Sequence, residues 1–189
     1  MTKYLKLLLG LSVILLLANC SEDDTEDPVT ADDIIGTWNM TALRAVTSTS
    51  VDFFGLPVST TATSVGSNFD YNVTFTENTY SSEGGYDLET TVEVPGEDTQ
   101  TETFEFRNLT TEGTYRFEDG TLIFDDQFLN AGNDELLTGL DIGEPEVTIS
   151  FNGADEVTMT QRQDISVTDP TSGATFDVEI DLTTTLRRQ

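Results

Sequence analysis

One stretch decides the fold class of this chain: FDVEIDL, residues 176–182. Apolar residues occupy every second position of the stretch, and three carboxylates fall between them. This two-residue period is typical of a β-strand that has one buried face and one wet face. A slip of one residue in its pairing would bury all three carboxylates, so we expect its register to be firmly specified.

The same alternation recurs over most of the chain. Segments rich in Thr, Val, Phe and Tyr are separated by Gly, Pro, Asn and Asp, which favour turns. The dipeptides Asp119-Gly120 and Asn152-Gly153 predict two tight antiparallel hairpins. The pattern as a whole predicts nine strands: 36–49, 69–76, 85–94, 100–108, 112–118, 121–126, 145–151, 155–168 and 174–187.

The predicted fold class is therefore all-β, with eight or nine antiparallel strands in up-and-down order. Parallel strands would need helical crossovers, and the best helical candidate, 133–140, is too short for one. The strands can close into a barrel or stack as a β-sandwich, and composition does not separate the two. The Thr- and Ser-rich segment 51–66 predicts either a long loop over the barrel mouth or an added hairpin.

A second stretch, Ile34-Ile35-Gly36-Thr37-Trp38, favours the barrel. It resembles the start of lipocalins, and more closely that of the lipocalin-like domains in bacterial lipoproteins. The resemblance implies that Gly36 permits a close backbone approach at the closed end, which Trp38 plugs beneath an arginine from the last strand. Arg188 shares the phase of the apolar residues in 176–182, whereas Arg187 lies on the opposite face. Arg188 is thus the expected partner of the indole.

The resemblance also implies a small apolar ligand inside the barrel. An eight-stranded barrel has room for one small ligand or for its own side chains. The candidate lining residues are aromatic residues of the predicted strands: Phe69, Tyr71, Phe75, Phe104, Phe106, Phe117, Phe124, Phe151 and Phe176. The same residues are equally able to fill the barrel. In that case the domain is a non-catalytic surface interaction or structural module with a filled β core.

The N-terminal residues have the pattern of a signal peptide. Two lysines precede an apolar run, residues 7–17, which is too short to span a membrane. The run ends in Leu17-Ala18-Asn19-Cys20, which resembles the lipobox of bacterial lipoproteins, although Asn19 stands where Gly or Ala is usual. The resemblance implies removal of residues 1–19, diacylglycerol on the Cys20 thiol, a further acyl chain such as palmitate on the new N-terminus, and a stable membrane anchor.

The residues after Cys20 are mostly acidic. Such a run repels itself, so residues 20–33 are predicted to form a flexible tether that leads into one domain, 34–189. The run also looks like the acidic export signal of some Gram-negative outer-membrane lipoproteins. That resemblance implies a lipid-anchored protein of the outer membrane that is displayed on the cell surface.

Charge and composition narrow the function classes. The chain has 35 acidic and eight basic residues, a formal charge of −27, so nucleic acid is an unfavourable partner and a monomer is expected. It has no histidine and a single cysteine, which disfavours catalysis, zinc and disulfides. The segment 125–135 is rich in oxygen ligands for calcium, but its spacing does not match an EF-hand. No enzyme, cofactor or metal site is predicted.

Overall fold

The computed structural model describes residues 29–53, 56–125, 145–168 and 175–189. A four-residue helix, α1, spans Ala31–Ile34 and leads directly into the first strand. Eight strands follow it in chain order: β1 Gly36–Phe53, β2 Leu56–Phe75, β3 Thr79–Glu93, β4 Gln100–Glu118, β5 Thr121–Phe124, β6 Glu146–Phe151, β7 Glu156–Thr168 and β8 Thr175–Arg188. The all-β class is confirmed.

The eight strands form one closed, antiparallel, up-and-down barrel. Each strand pairs with its neighbours in sequence, and β1 completes the ring by pairing with β8 from Trp38 opposite Arg188 to Val51 opposite Phe176. Within the described ranges the ring is complete only where β5 and β6 are present, because residues 100–114 of β4 pair only with β3 and residues 162–168 of β7 pair only with β8. Among the residues described, no helix has the length and apolarity needed to cross a membrane.

The ninth predicted strand is absent because the predicted segments 100–108 and 112–118 form one continuous strand, β4. The polar Arg107-Asn108 pair at the end of the first segment forms a bulge, and the strand continues through it. The register shifts there between β3 and β4, and Asn108 takes a φ of 56°. Asparagine tolerates this left-handed conformation better than most residues do. An equivalent bulge in β2 places Asn68 at a φ of 51°.

The segment 51–66 is part of a long β1–β2 hairpin. Pairing continues from Arg44 opposite Val65 to Val51 opposite Val58, so the hairpin alternative is correct and the long-loop alternative is wrong. Threonine and valine suit a pleated strand, which explains why this polar segment extends the sheet. Strand β2 therefore begins well before the predicted position 69.

The two predicted tight turns have different outcomes. Asp119-Gly120 links β4 to β5 as a two-residue turn in which both residues have positive φ, 48° and 82°. The Asn152-Gly153 connection is wider than predicted, because pairing between β6 and β7 stops at Phe151 opposite Val157. The Asn152 backbone N–H and side-chain amide both donate to Glu156, at 2.9 and 2.8 Å, and this holds the wider loop.

The barrel interior is filled by inward-facing side chains at the end where β1 begins and β8 ends. There Trp38, Phe75, Phe124 and Leu186 are at most 1% exposed. The core cluster comprises Ile34, Trp38, Met40, Leu43, Tyr71, Val73, Phe75, Tyr80, Tyr86, Leu88, Tyr115, Leu122, Phe124, Val147, Ile149, Val157, Met159 and Leu186. Burial of these side chains supplies the main stabilisation of the fold.

The strands differ greatly in length, and this sets how far the packed core extends. Strands β5 and β6 have four and six residues, whereas the other six have 13 to 20. The long strands run beyond the core cluster, and we call their inward face there the long-strand section. Its inward-facing residues include Val51, Val58, Phe104, Val178 and Ile180. The alternation of side chains along each strand and the pairing between strands put them on the same face of the sheet as the core residues.

We expect Gly84→Ala to destabilise the protein by about 3 kcal/mol or more. Gly84 has a φ of +128°, and a Cβ there would lie 1.8 Å from the Asp70 carbonyl oxygen. Gly96→Ala is the control, because Gly96 also has positive φ, +88°, but a Cβ there would meet no atom within 4 Å. Its expected cost is about 1 kcal/mol. Urea unfolding measures both changes, and equal costs would contradict the steric role of Gly84.

Candidate functional site

The closed end of the barrel is formed by Ile34, Trp38, Phe151 and Arg188. The Arg188 guanidinium carbon lies 4.4 Å from the centroid of the Trp38 ring, at cation–π distance. Trp38 is fully buried, and its indole N–H donates to the Ile34 carbonyl oxygen at 2.8 Å. The ring of Phe151 lies 6.2 Å from it, centroid to centroid. Arg188 thus covers the face of the indole, Phe151 packs beside the ring, and Ile34 accepts its N–H.

Arg188 also connects the last strand to the segment that precedes the first. Its Nη2 donates to the Asp33 carbonyl oxygen at 2.7 Å and its Nη1 to that of Ile35 at 3.2 Å. Gly36 is required beside it: the residue has a φ of +136°, and a Cβ there would lie 3.2 Å from Nη1. The structure therefore places Gly36, Trp38 and Arg188 next to one another at the closed end.

The residues just before β1 are ordered against this end. The Asp33 carboxylate accepts hydrogen bonds from the Thr30 backbone N–H and hydroxyl, both at 2.8 Å. These two bonds, and to a smaller extent the charge of Arg188, hold the pKa of Asp33 below its usual value. Val29 packs against the core cluster. Residues 29–33, which the sequence places in the tether, thus contact the barrel.

The nine candidate lining residues fall into three groups by burial. Tyr71, Phe75 and Phe124 belong to the core cluster. Four others are partly buried and pack against that cluster: Phe69, Phe106, Phe117 and Phe151. Phe104, 44% exposed, and Phe176, half-buried on β8, lie in the long-strand section. The aromatic residues predicted to surround a ligand are therefore divided between the filled interior and its less covered continuation.

Three buried tyrosines complete the interior, and the sequence-based candidates did not include them. Tyr80 packs edge-on against Phe124 with centroids 5.1 Å apart, and Tyr115 does so against Phe75 at 5.6 Å. Tyr86 packs against Tyr71 at 5.8 Å. Tyr115 could have been predicted from the alternation of β4, because it lies two residues from Phe117 and so faces the same side of the sheet. Such tilted and edge-on aromatic contacts fill this part of the barrel efficiently.

Hydroxyl groups lie inside the barrel among these rings. The Tyr71 hydroxyl is hydrogen-bonded to the Ser82 hydroxyl at 2.6 Å, and Ser82 is only 5% exposed. Burial raises the pKa of Tyr71, an effect that hydrogen bonds with Ser82 and Thr111 partly offset. Burial, with a contribution from Tyr71, raises the pKa of Tyr86 to about 12. Both phenols therefore stay neutral at physiological pH.

The inward face of the long-strand section is apolar along β8 and mixed on the neighbouring strands, where the register also turns Thr47, Thr49, Gln161 and Gln163 inward. Val58 is 46% exposed although it aligns with Val51 on the inward phase, and Phe104 is exposed although it aligns with buried Leu88. Valines and phenylalanines on the inner face of a filled barrel would be fully buried. The inward face around each of these two residues is thus not covered by the side chains of the described strands.

Other concave surfaces lie outside the barrel interior. A groove of about 660 Å³ on the outer face of β1–β4 is lined by short polar side chains, among them Thr37, Asn72 and Thr74. A second hollow, about 430 Å³, lies at the closed end beside Asp33 and Arg188. The polar lining of the larger groove is typical of an ordinary solvated sheet face.

Two sequence-based candidates lie partly or wholly outside the described residues. Cys20 is one, and the possible calcium segment is the other, since only Asp125 of residues 125–135 is described. The Asp125 carboxylate accepts a hydrogen bond from the Thr114 hydroxyl. Within the described ranges, no three Asp, Glu, His or Cys side chains come together in a way that would hold a metal ion.

We expect Arg188→Met to lower the free energy of unfolding by about 2 kcal/mol, because it removes the cation–π contact and two charged hydrogen bonds. Arg187→Met is the matched control: Arg187 is exposed and faces outward, and its expected effect is within about 0.5 kcal/mol. Urea unfolding followed by Trp38 fluorescence measures both variants. Similar losses in the two would contradict the specific role of Arg188.

Comparison with known proteins finds no relative of this chain. No protein-family model matches the chain, and no curated protein or solved structure matches it either.

Proposed function

We propose that this protein is a lipid-anchored lipoprotein of the outer membrane whose barrel binds a small apolar ligand in the long-strand section. The lipobox-like residues that end in Cys20 support the anchor. The acidic residues that follow support display at the cell surface. The Gly36, Trp38 and Arg188 contact and the up-and-down barrel support the likeness to lipocalin-like domains.

One observation carries the ligand-binding part of the proposal. Val58 and Phe104 face inward yet are 46% and 44% exposed. Exposed apolar surface inside a concave sheet is costly in water, and a ligand that covers it gains the corresponding hydrophobic free energy. Binding sites for small molecules are commonly concave, mostly apolar and largely preformed. The half-buried inward residues of β8 give the ligand a continuous apolar wall.

The packed core restricts where the ligand binds. Phe75, Phe124 and Trp38 are at most 1% exposed, so the packed interior of the closed end has no room for a ligand. The ligand therefore lies above the core cluster, against the ends of the long strands that are farthest from Arg188. This position also leaves the closed end free to stabilise the fold in the absence of ligand.

Val58→Asp is expected to weaken the binding of an apolar fluorophore about tenfold, because ligand binding would have to desolvate the new carboxylate. Val65→Asp is a close control: it lies on the same strand and is 47% exposed, compared with 46% for Val58, but it aligns with Arg44 on the outward phase. Fluorescence titration measures both affinities. Equal weakening in both variants would contradict a site on the inward face.

A ligand from the natural source provides the independent test. Native mass spectrometry of protein purified from its own host should show additional mass that organic extraction removes. Absence of such mass, together with no binding of the fluorophore, would remove the ligand-binding proposal. The filled core would then favour the alternative, a rigid surface interaction or structural module.

The anchor is tested by Cys20→Ala. We expect the variant to move from the membrane fraction to the soluble fraction and to lose incorporation of labelled palmitate, since three acyl chains supply the anchoring free energy. Ser21→Ala is the control and should retain both properties. A Cys20→Ala variant that stays in the membrane fraction would contradict lipid anchoring and would leave the ligand-binding proposal untouched.

A further inference from the structure

Thr184 on β8 carries a buried hydroxyl that has no hydrogen-bond partner. It is 1% exposed, and among the described residues its Oγ1 is the only buried side-chain polar atom left unpaired. The register aligns it with Leu43 on β1 and Met159 on β7, both members of the core cluster. The hydroxyl therefore faces the barrel interior, where an unpaired polar group costs stability.

The position of Thr184 coincides with the end of the packed core. Farther toward the closed end on the same face, Leu186 is fully buried. In the other direction Leu182, Ile180 and Val178 are only half-buried. The unpaired hydroxyl thus lies where the filled interior meets the partly covered apolar face along β8.

The interior satisfies other hydroxyls that lie at a comparable depth. Tyr71 and Ser82 are hydrogen-bonded to each other inside the barrel, whereas Thr184 has only apolar register partners. A valine has nearly the same shape and would avoid the cost of the unpaired hydroxyl. A hydroxyl retained at this point is explained if something that binds there pairs with it.

Charge determines which polar group fits. Five of the six described arginines are exposed, and the sixth, Arg188, lies on Trp38 at the closed end. No described cation therefore faces the interior near Thr184. Glu102, two residues from Phe104 on the same phase, adds negative charge to the inward face of the section. A buried carboxylate or phosphate would lack a counter-charge, which makes a neutral group the favourable partner.

We propose that the Thr184 hydroxyl anchors the neutral polar end of an amphiphile, such as a long-chain alcohol, whose apolar chain lies along β8 over Leu182, Ile180 and Val178. The inference rests on the proposed ligand-binding function and specifies the class of ligand. A threonine hydroxyl both donates and accepts, so it pairs with an alcohol without a change of protonation. The six residue-to-residue steps from Thr184 to Val178 span about 20 Å, enough for an extended twelve-carbon chain.

Thr184→Val tests the anchor in the full-length protein. Dodecanol, dodecanoate and dodecane are each titrated against a bound apolar fluorophore at pH 8. In the wild type we expect dodecanol to bind more tightly than dodecanoate. In the variant we expect the affinity for dodecanol to fall about fivefold, as for the loss of one hydrogen bond, and that for dodecane to stay unchanged.

The control is Thr183→Val, which makes the same chemical change at an exposed position on the outward face. It should leave all three affinities unchanged. Without ligand, Thr184→Val should raise the thermal midpoint by about 2 to 4 °C, since it removes an unpaired buried hydroxyl. A purely structural threonine would show no change in the ratio of dodecanol to dodecane affinity.

The outcomes separate the two proposals. If no probe binds the wild type, the ligand-binding function fails and the anchor fails with it. If probes bind but the dodecanol-to-dodecane ratio is the same in wild type and Thr184→Val, only the anchor is overturned. Tighter binding of dodecanoate than of dodecanol would overturn the neutral class of ligand.

Discussion

The pairing of β1 with β8 is the constraint on which the rest of the structure depends. It closes the barrel and sets Trp38 opposite Arg188 at one end and Val51 opposite Phe176 at the other. Because side chains alternate between the two faces of a strand, this register determines which residues of β8 face inward. The carboxylates of 176–182 then lie on the outer face, where water solvates them.

Closure also explains why one barrel has two unlike halves. A ring of strands encloses a packed interior only where all its strands are present, and β5 and β6 have four and six residues. The core cluster fills the part of the barrel that these short strands reach. Beyond it the six longer strands continue, and the apolar inward residues of β8 there are only partly covered. The half that stabilises the fold is thus distinct from the half proposed to bind.

The sequence predicted the fold well where alternation is unbroken and less well where a bulge shifts it. Strand β8 matches its prediction to within one residue at each end. Asn68 and Asn108, both in left-handed conformations, shift the alternation of β2 and β4. The prediction from alternation therefore began β2 too late and divided β4 into two strands. Trp38 and Arg188 were paired by phase and resemblance. Thr184 gave no signal, because one hydroxyl in an alternating strand looks like any other until its neighbours are known.

The distribution of charge shows how stability and binding are divided. The described ion pairs, such as Arg107 with Asp87 and Arg162 with Glu179, lie on the surface, where such pairs contribute little. The acidic exterior therefore adds repulsion more than stability. The closed end must supply most of the stability through its packed rings and the Trp38–Arg188 contact. With that end sufficient to hold the fold, the long-strand section is able to keep exposed apolar surface and an unpaired Thr184 hydroxyl, features that a region responsible for stability would not retain.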